Sequence, residues 1–114
     1  MSESDDFSSW RRTLPEVTGA LVRMRQKAYS DGAIPAKYKA LMALCMAAVD
    51  KCEPCLNAYV EKARDLGVTD TEFTEALEVV VTFAGCVGEQ WALKAWKIWK
   101  KENRENEGCC SVES

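Results

Sequence analysis

The sequence contains no histidine. Histidine is the usual general base at neutral pH, the usual pH-dependent switch and the commonest zinc ligand. Any chemistry that this chain performs must therefore use thiols, carboxylates, lysines or tyrosines.

The chain also lacks an excess of positive charge and a long hydrophobic run. Its net charge is −3, so no general electrostatic attraction to nucleic acid is expected. The longest apolar stretch, Ala40 to Val49, is too short to span a bilayer, and no membrane association is predicted. The first residues are acidic and polar, unlike a secretory signal peptide. With six unevenly spaced cysteines, these features favour a cytoplasmic protein with one redox-active pair over a secreted disulfide scaffold.

Helical patterns account for most of the chain, whose length suits a single domain. We predict a polar, poorly ordered arm at residues 1–12, a helical domain at residues 13–104 and a flexible, cysteine-containing tail at residues 105–114. Short connections between the predicted helices indicate an all-α fold, an antiparallel bundle of five to six helices.

Local signals give the expected helix ends. Capping boxes begin at Thr13 and Thr69, and Pro35 opens a helix that should end near Asp50 and Lys51. From Ala40 onward this helix has little polar face, which is typical of a helix buried in a core or in an oligomer interface.

Glycines divide the second half of the chain. Gly67 should end one helix, and Gly85 and Gly88 mark a break or a tight helix contact before the last helix. Trp96 and Trp99 in that last helix are candidates for a subunit contact, because exposed tryptophan is otherwise unfavourable.

The most informative motif is a Cys-x-x-Cys pair, Cys52 and Cys55, with Pro54 between them. We place the pair at the start of a helix, where unpaired N–H groups and the positive end of the helix dipole favour a thiolate. Lys51 adds a positive charge beside the pair, and Asp50 and Glu53 oppose it. The spacing is short enough for a reversible disulfide.

Other interpretations of the cysteines stay open. Cys52 and Cys55 could be two buried core thiols, or half of a zinc site completed by Cys86 or by the tail pair Cys109 and Cys110. The tail pair could alternatively pass electrons or bind a soft metal. Cys86, like Cys45 earlier in the chain, is predicted to be an ordinary core residue.

Several stretches between Ile34 and Trp99 follow one another in an order typical of a known family. They are Lys39-Ala40-Leu41-Met42-Ala43-Leu44, Cys52-Glu53-Pro54-Cys55-Leu56-Asn57-Ala58-Tyr59, Leu66-Gly67-Val68-Thr69-Asp70-Thr71-Glu72, Phe83-Ala84-Gly85 and Ala92-Leu93. In this order the chain resembles the carboxymuconolactone decarboxylase / alkylhydroperoxidase D (AhpD)-like family.

The resemblance implies an all-helical oligomer, a homotrimer or homohexamer, with disulfide oxidoreductase or peroxidase activity in the cysteine-bearing branch. It implies that Cys55 attacks a peroxide or disulfide substrate and that Cys52 is the partner thiol. A thiol or dithiol protein would supply electrons. No cofactor and no metal is expected.

The chain departs from the family pattern at two positions. Tyr59 occupies the place of the histidine in the Cys-x-x-Cys-x-x-x-His motif, and the relay glutamate is missing near Ala40. Tyr59 could still orient a thiolate by donating a hydrogen bond, and Glu89 is the best substitute acid or base. The alternative functions are a non-catalytic oligomeric module and a soft-metal or redox sensor that uses the tail.

Overall fold

The computed structural model describes residues 3–106, with side chains described for residues 6–101. Within that range every regular element is a helix: α1 (Glu3–Arg12), α2 (Pro15–Ala28), α3 (Ala36–Val49), α4 (Glu53–Asp65) and α5 (Asp70–Asn106). The prediction of an all-α fold is confirmed. The chain divides at Gly32 into two compact units, one containing α1 and α2 and the other containing α3 to α5.

Helix α1 occupies most of the segment predicted to be a poorly ordered arm. Arg11 and Arg12 lie in its last turn, where positive charge interacts favourably with the helix dipole. The Arg11 guanidinium lies 4.5 Å from the centre of the Phe7 ring, one turn earlier. The Thr18 hydroxyl of α2 donates to the Arg11 carbonyl oxygen at 3.1 Å, which joins the two helices.

The capping box predicted at Thr13 is wrong, although α2 begins where expected. The N-cap is Leu14, which makes no side-chain capping bond, and Pro15 opens the helix. The Thr13 hydroxyl instead donates to the Trp10 carbonyl oxygen at 2.6 Å, so it closes α1 rather than opening α2. No residue of α2 is buried.

The second unit contains the hydrophobic core. One face of α3 is buried, at Ala40, Ala43, Leu44, Ala47 and Ala48. The opposite face is open, with Met42 and Met46 45% and 64% exposed. The prediction that α3 is buried therefore applies to one face within a single chain. Facing residues of α4 and α5 complete the core, among them Leu56, Val60, Ala63, Phe73, Leu77, Val80, Ala92, Ala95 and Trp99.

Helix α5 is two helices joined by a reversal at Gly85, where φ is 67° and ψ is −143°. We call residues 70–84 α5N and residues 86–106 α5C. Almost only glycine adopts this backbone conformation without strain. Gly88 then allows a close approach, because a Cβ there would lie 2.6 Å from both the Ala84 Cβ and the Val80 carbonyl oxygen. The break predicted at these glycines is confirmed.

A cluster around Trp99 joins the free ends of α5N and α5C. The Trp99 and Phe73 rings stack with centroids 4.3 Å apart, and the indole N–H of Trp99 donates to the Asp70 carboxylate at 2.7 Å. The Arg64 guanidinium from α4 lies 4.1 Å from the ring centre and donates to the Trp99 carbonyl oxygen. Trp99 is thus a core residue, and its assignment to a subunit contact was wrong.

The start of α5N is capped as predicted. The Thr69 backbone N–H donates to the Glu72 carboxylate at 3.0 Å, and the Glu72 backbone N–H donates to the Thr69 hydroxyl at 3.1 Å. Lys37 of α3 forms an ion pair with the same carboxylate at 3.1 Å. This cap therefore also connects α3 to α5N.

By length and composition alone, the stretch Asp70–Lys101 could cross a membrane. The core helix of a soluble protein can have the same composition, and here the stretch folds back on itself at Gly85. Its buried side chains pack against α3 and α4.

Replacing Gly85 by alanine should destabilise the protein even though nothing lies within 4 Å of the added Cβ. The backbone conformation alone should cost about 1–3 kcal/mol. Urea unfolding followed by circular dichroism measures this loss. Gly19→Ala, inside α2, is the matched control and should not destabilise the protein. Equal stability of Gly85→Ala and wild type would contradict the strain argument.

The Glu72 cap should make stability depend on acid pH. The pKa of Glu72 is lowered, first by the Thr69 N–H bond and then by Lys37. Its charged form therefore stabilises the fold above the ordinary pKa of 4.5, and this contribution disappears as pH falls through the lowered value. Glu72→Gln should lose less unfolding free energy than wild type between about pH 6 and about pH 3. Glu61→Gln, at an exposed residue of α4, should behave like wild type, and identical curves for all three proteins would contradict this explanation.

Candidate active site at the start of helix α4

Cys52 lies where the end of α3 meets the start of α4. Its backbone N–H donates to the Ala47 carbonyl oxygen at 3.0 Å, and its own carbonyl oxygen accepts from the Leu56 N–H at 2.9 Å. The Lys51 N–H donates to the Ala48 carbonyl oxygen at 3.2 Å, which completes a Schellman motif at the end of α3. Cys52 is also the N-cap of α4. Its backbone is therefore fixed on both sides.

Lys51 adopts a left-handed conformation with φ 58°. Glycine usually occupies this position of a Schellman motif, as Gly67 does at the end of α4. A residue with a Cβ costs about 1–2 kcal/mol more there. The short link between α3 and α4 thus places a strained, exposed lysine immediately before the first thiol.

Cys55 and Tyr59 lie on the same side of α4 as Cys52, because three- and four-residue spacings return to one helix face. Cys52, Cys55 and Tyr59 are each partly buried. Cys55 and Tyr59 pack against the hydrophobic core, beside the fully buried Leu56 and Val60. The structure thus brings together three of the four predicted site residues at the edge of the core.

Charges around the thiol pair are exposed and mixed in sign. Asp50, Lys51 and Glu53 are all exposed, and Glu53 occupies the first turn of α4. The Cys52 side chain accepts no hydrogen bond from the backbone N–H groups of the first turn of α4. The first turn of a helix presents such N–H groups to an adjoining hydrogen-bond acceptor.

Cys45 shows the opposite environment. Its thiol is partly buried in α3 and donates to the Ala76 carbonyl oxygen at 3.7 Å. Burial raises the pKa of Cys45 to about 11, so it is a neutral thiol at physiological pH. The prediction that Cys45 is a core residue fits this placement. Cys86 is exposed, so its assignment to the core was wrong. It directly follows the reversal at Gly85, where the helical pattern used to predict burial is interrupted.

Glu89 is the fourth predicted site residue, and Ala40 marks the place of the relay glutamate. Glu89 is exposed in α5C, and its carboxylate makes no hydrogen bond or ion pair in the part of the chain that the structure describes. Ala40, near the family's relay glutamate, is 1% exposed and belongs to the core. A carboxylate of this chain therefore does not replace the relay at that place.

No group of three or more metal-binding side chains occurs among residues whose side chains are described. No disulfide bond joins Cys45, Cys52, Cys55 or Cys86, the four cysteines among the described residues. The predicted roles of Cys109 and Cys110 lie outside the described residues.

Sequence reasoning missed two features. The first is the left-handed conformation of Lys51, for which the short link between two helical patterns was the available signal. The second is an open pocket on α5N lined by Glu78, Val79, Thr82 and Phe83. The pocket contains neither thiol of the pair.

Two solved structures are similar to this fold. A carboxymuconolactone decarboxylase family protein from Legionella pneumophila has a TM-score of 0.82 at 24% identity, covering 86% of this chain and 88% of the other. A family member from Thermotoga maritima, for which a part in antioxidative response has been suggested, has a TM-score of 0.73 at 21% identity. It covers 79% of this chain and 93% of the other. At these identities the likeness shows the fold.

Sequence comparison identifies the family. An uncharacterized protein from the cox locus of Paracoccus denitrificans is 30% identical over 82 residues, covering 72% of this chain and 74% of that protein. The model of the carboxymuconolactone decarboxylase family matches residues 15–97. The resemblance drawn from the sequence motifs is therefore confirmed, and the chain belongs to the carboxymuconolactone decarboxylase family.

Proposed function

We propose that this chain is a thiol–disulfide oxidoreductase with peroxidase-like chemistry, in which Cys55 is the attacking thiol and Cys52 resolves the product. The observation that supports this most is the position of Cys52. Its backbone is hydrogen-bonded to both α3 and α4. Its partly exposed side chain lies at the N-cap position of α4 and makes no capping hydrogen bond. A sulfur there can change partners without disturbing the helices.

The contrast with Cys45 supports the choice of this pair. Cys45 donates a hydrogen bond from a partly buried position, and its raised pKa keeps it protonated. A protonated thiol is a poor nucleophile. Cys52 and Cys55 instead lie at the start of α4, a position typical of reactive cysteines.

The proposed cycle with a peroxide has three steps. The Cys55 thiolate attacks the distal peroxide oxygen, the O–O bond breaks, and an alcohol leaves after taking one proton. The Cys52 thiol then displaces water from the Cys55 sulfenic acid and forms a disulfide. A dithiol donor supplies two electrons and two protons, which restore both thiols and leave the donor oxidised.

Disulfide exchange demands less proton transfer than peroxide reduction. Tyr59 occupies the histidine position of the family motif, and a phenol is a poor base at neutral pH. We assign Tyr59 the role of a hydrogen-bond donor to a sulfur and Glu89 that of a supporting acid or base. A disulfide substrate needs no protonation of a leaving alkoxide, so it is the easier substrate for this site.

The setting that we propose follows the family. The substrates are peroxides or disulfides, the electron donor is a thiol or dithiol protein, and the location is the cytoplasm. The assembly is a homotrimer or homohexamer. The suggested antioxidative part of the Thermotoga maritima relative agrees with a redox function.

A non-catalytic oligomeric module is the rival function. It is favoured by the burial of Ala40 in the core, which leaves the relay position without a carboxylate. In that case the fold would be kept for assembly, and the thiol pair would show no turnover.

Cys52→Ser and Cys55→Ser should each reduce dithiol-dependent reduction of a peroxide or a disulfide to background. Turnover needs both sulfurs, because the disulfide between them is the form that the dithiol reduces. The assay measures oxidation of dithiothreitol with cumene hydroperoxide, or with glutathione disulfide, as the oxidant. Cys86→Ser, at an exposed thiol outside the pair, is the matched control and should retain wild-type rates. Equal rates in wild type and both pair variants would exclude the proposal, and no turnover in wild type would favour the rival.

Tyr59→His should raise the rate of peroxide reduction, because it restores a base that can titrate near neutral pH. General acid–base catalysis contributes about 10²–10⁴-fold where its geometry is complete. Stopped-flow measurement of the peroxide reaction would detect a gain well below that range. Tyr59→Phe keeps the ring and removes the hydroxyl, so it should lower the rate of both reactions. A rate unchanged in both variants would remove Tyr59 from the mechanism.

A further inference from the structure

The α5 hairpin has opposite charge on its two segments. Residues 70–84 contain four acidic residues and no basic one. Residues 86–101 contain four lysines and one acidic residue, Glu89. Because these segments belong to one hairpin, the charge separation lies on neighbouring helices of the same chain.

Exposed apolar side chains accompany these charges. Val79 and Phe83 on α5N are 65% and 77% exposed, and Leu93 and Trp96 on α5C are 41% and 42% exposed. Val79 and Phe83 line the open pocket together with Glu78 and Thr82. The buried side of each segment packs on α3 and α4, so the exposed residues point away from those helices.

Two contacts fix the register between the segments. Phe73 stacks on Trp99 at one end of the hairpin, and Ala84 meets Gly88 at the other. Because both segments are helical and antiparallel, the same register places Val79 level with Leu93. It also places Glu75 level with Lys97 and Glu78 level with Lys94.

We infer that the exposed side of the α5 hairpin binds the same side of a second copy of this chain through a two-fold axis parallel to the hairpin. This rotation exchanges α5N and α5C while it preserves height along the helices. Val79 of each copy then meets Leu93 of the other. Glu75 meets Lys97 and Glu78 meets Lys94, twice in each contact.

Charge selects this arrangement over its alternatives. Packing α5N on α5N would place the exposed carboxylates of Glu75 and Glu78 opposite the same carboxylates, and packing α5C on α5C would oppose lysines. Only the reciprocal arrangement pairs opposite charges on both sides of the axis. It produces assemblies with an even number of copies, so of the two assemblies proposed above it selects the homohexamer, and it does not depend on the thiol chemistry.

Two charge-reversed chains test the inference. The acidic chain has Lys94→Glu with Lys97→Glu, and the basic chain has Glu75→Lys with Glu78→Lys. Each alone should have half the wild-type mass by light scattering on a sizing column, with helix content unchanged by circular dichroism. A chain with all four substitutions should recover the wild-type mass, because the pairs are restored with opposite sign. Glu61→Lys with Lys27→Glu, both exposed outside the hairpin, is the matched control and should keep the wild-type mass.

The measured masses either support the inference or overturn it. Halved mass in both reversed chains and recovery in the fourfold chain support the inference, and salt should lower the wild-type mass. A wild-type monomer or trimer overturns it. A wild-type mass retained by either reversed chain also overturns it, and so does a fourfold chain that fails to recover. If a reversed chain loses helix content, Val79→Ser and Leu93→Ser test the same contact without reversing a charge. Each should halve the mass if the inference holds and leave the mass unchanged if it is wrong.

Discussion

The fold of the second unit depends on the contact that holds α5 folded back on itself. Gly85 supplies the reversal, but a glycine turn alone would leave α5N and α5C free to separate. The stack of Trp99 on Phe73, with the Asp70 and Arg64 bonds around the indole, fixes the far ends. A buried aromatic pair contributes about 0.5–1.5 kcal/mol beyond its apolar burial. The polar bonds satisfy the indole N–H and the carbonyl oxygen that burial would otherwise leave unpaired.

The thiol pair benefits from the same rigidity. α4 packs its Leu56, Val60 and Ala63 stripe against α3 and α5, so the first turn of α4 is held at the edge of the core. Cys52 then belongs to two helix ends at once, as the residue after the Schellman turn of α3 and as the N-cap of α4. The packing of α3, α4 and α5 keeps Lys51 in its left-handed conformation despite the energetic cost of that conformation. The proposed thiol chemistry therefore has a hydrogen-bonded backbone at Cys52.

The α5 hairpin connects the hydrophobic core to the surface proposed to bind a second copy. Its inner side completes the core that supports α4, and its outer side separates acidic from basic residues around Val79 and Leu93. The Phe73–Trp99 contact therefore has two effects. It closes the core, and it sets the register that determines which outer charges can meet those of a second copy. Core packing and charge pattern are linked through one hairpin.

Local sequence determined the features that depend on near neighbours. The helix starts at Pro35 and Cys52, the Thr69 capping box, the break at Gly85 and the family motif could all be predicted, because caps, turns and spacing act within a few residues. Features that depend on distant contacts could not. Thr13 bonds backward to Trp10, Trp99 is buried against Phe73 and Arg64, and Cys86 is exposed beyond a reversal. Helical periodicity indicates on which face of a helix a residue lies, but not which residues pack against that face. Only the tertiary structure determined those packing partners.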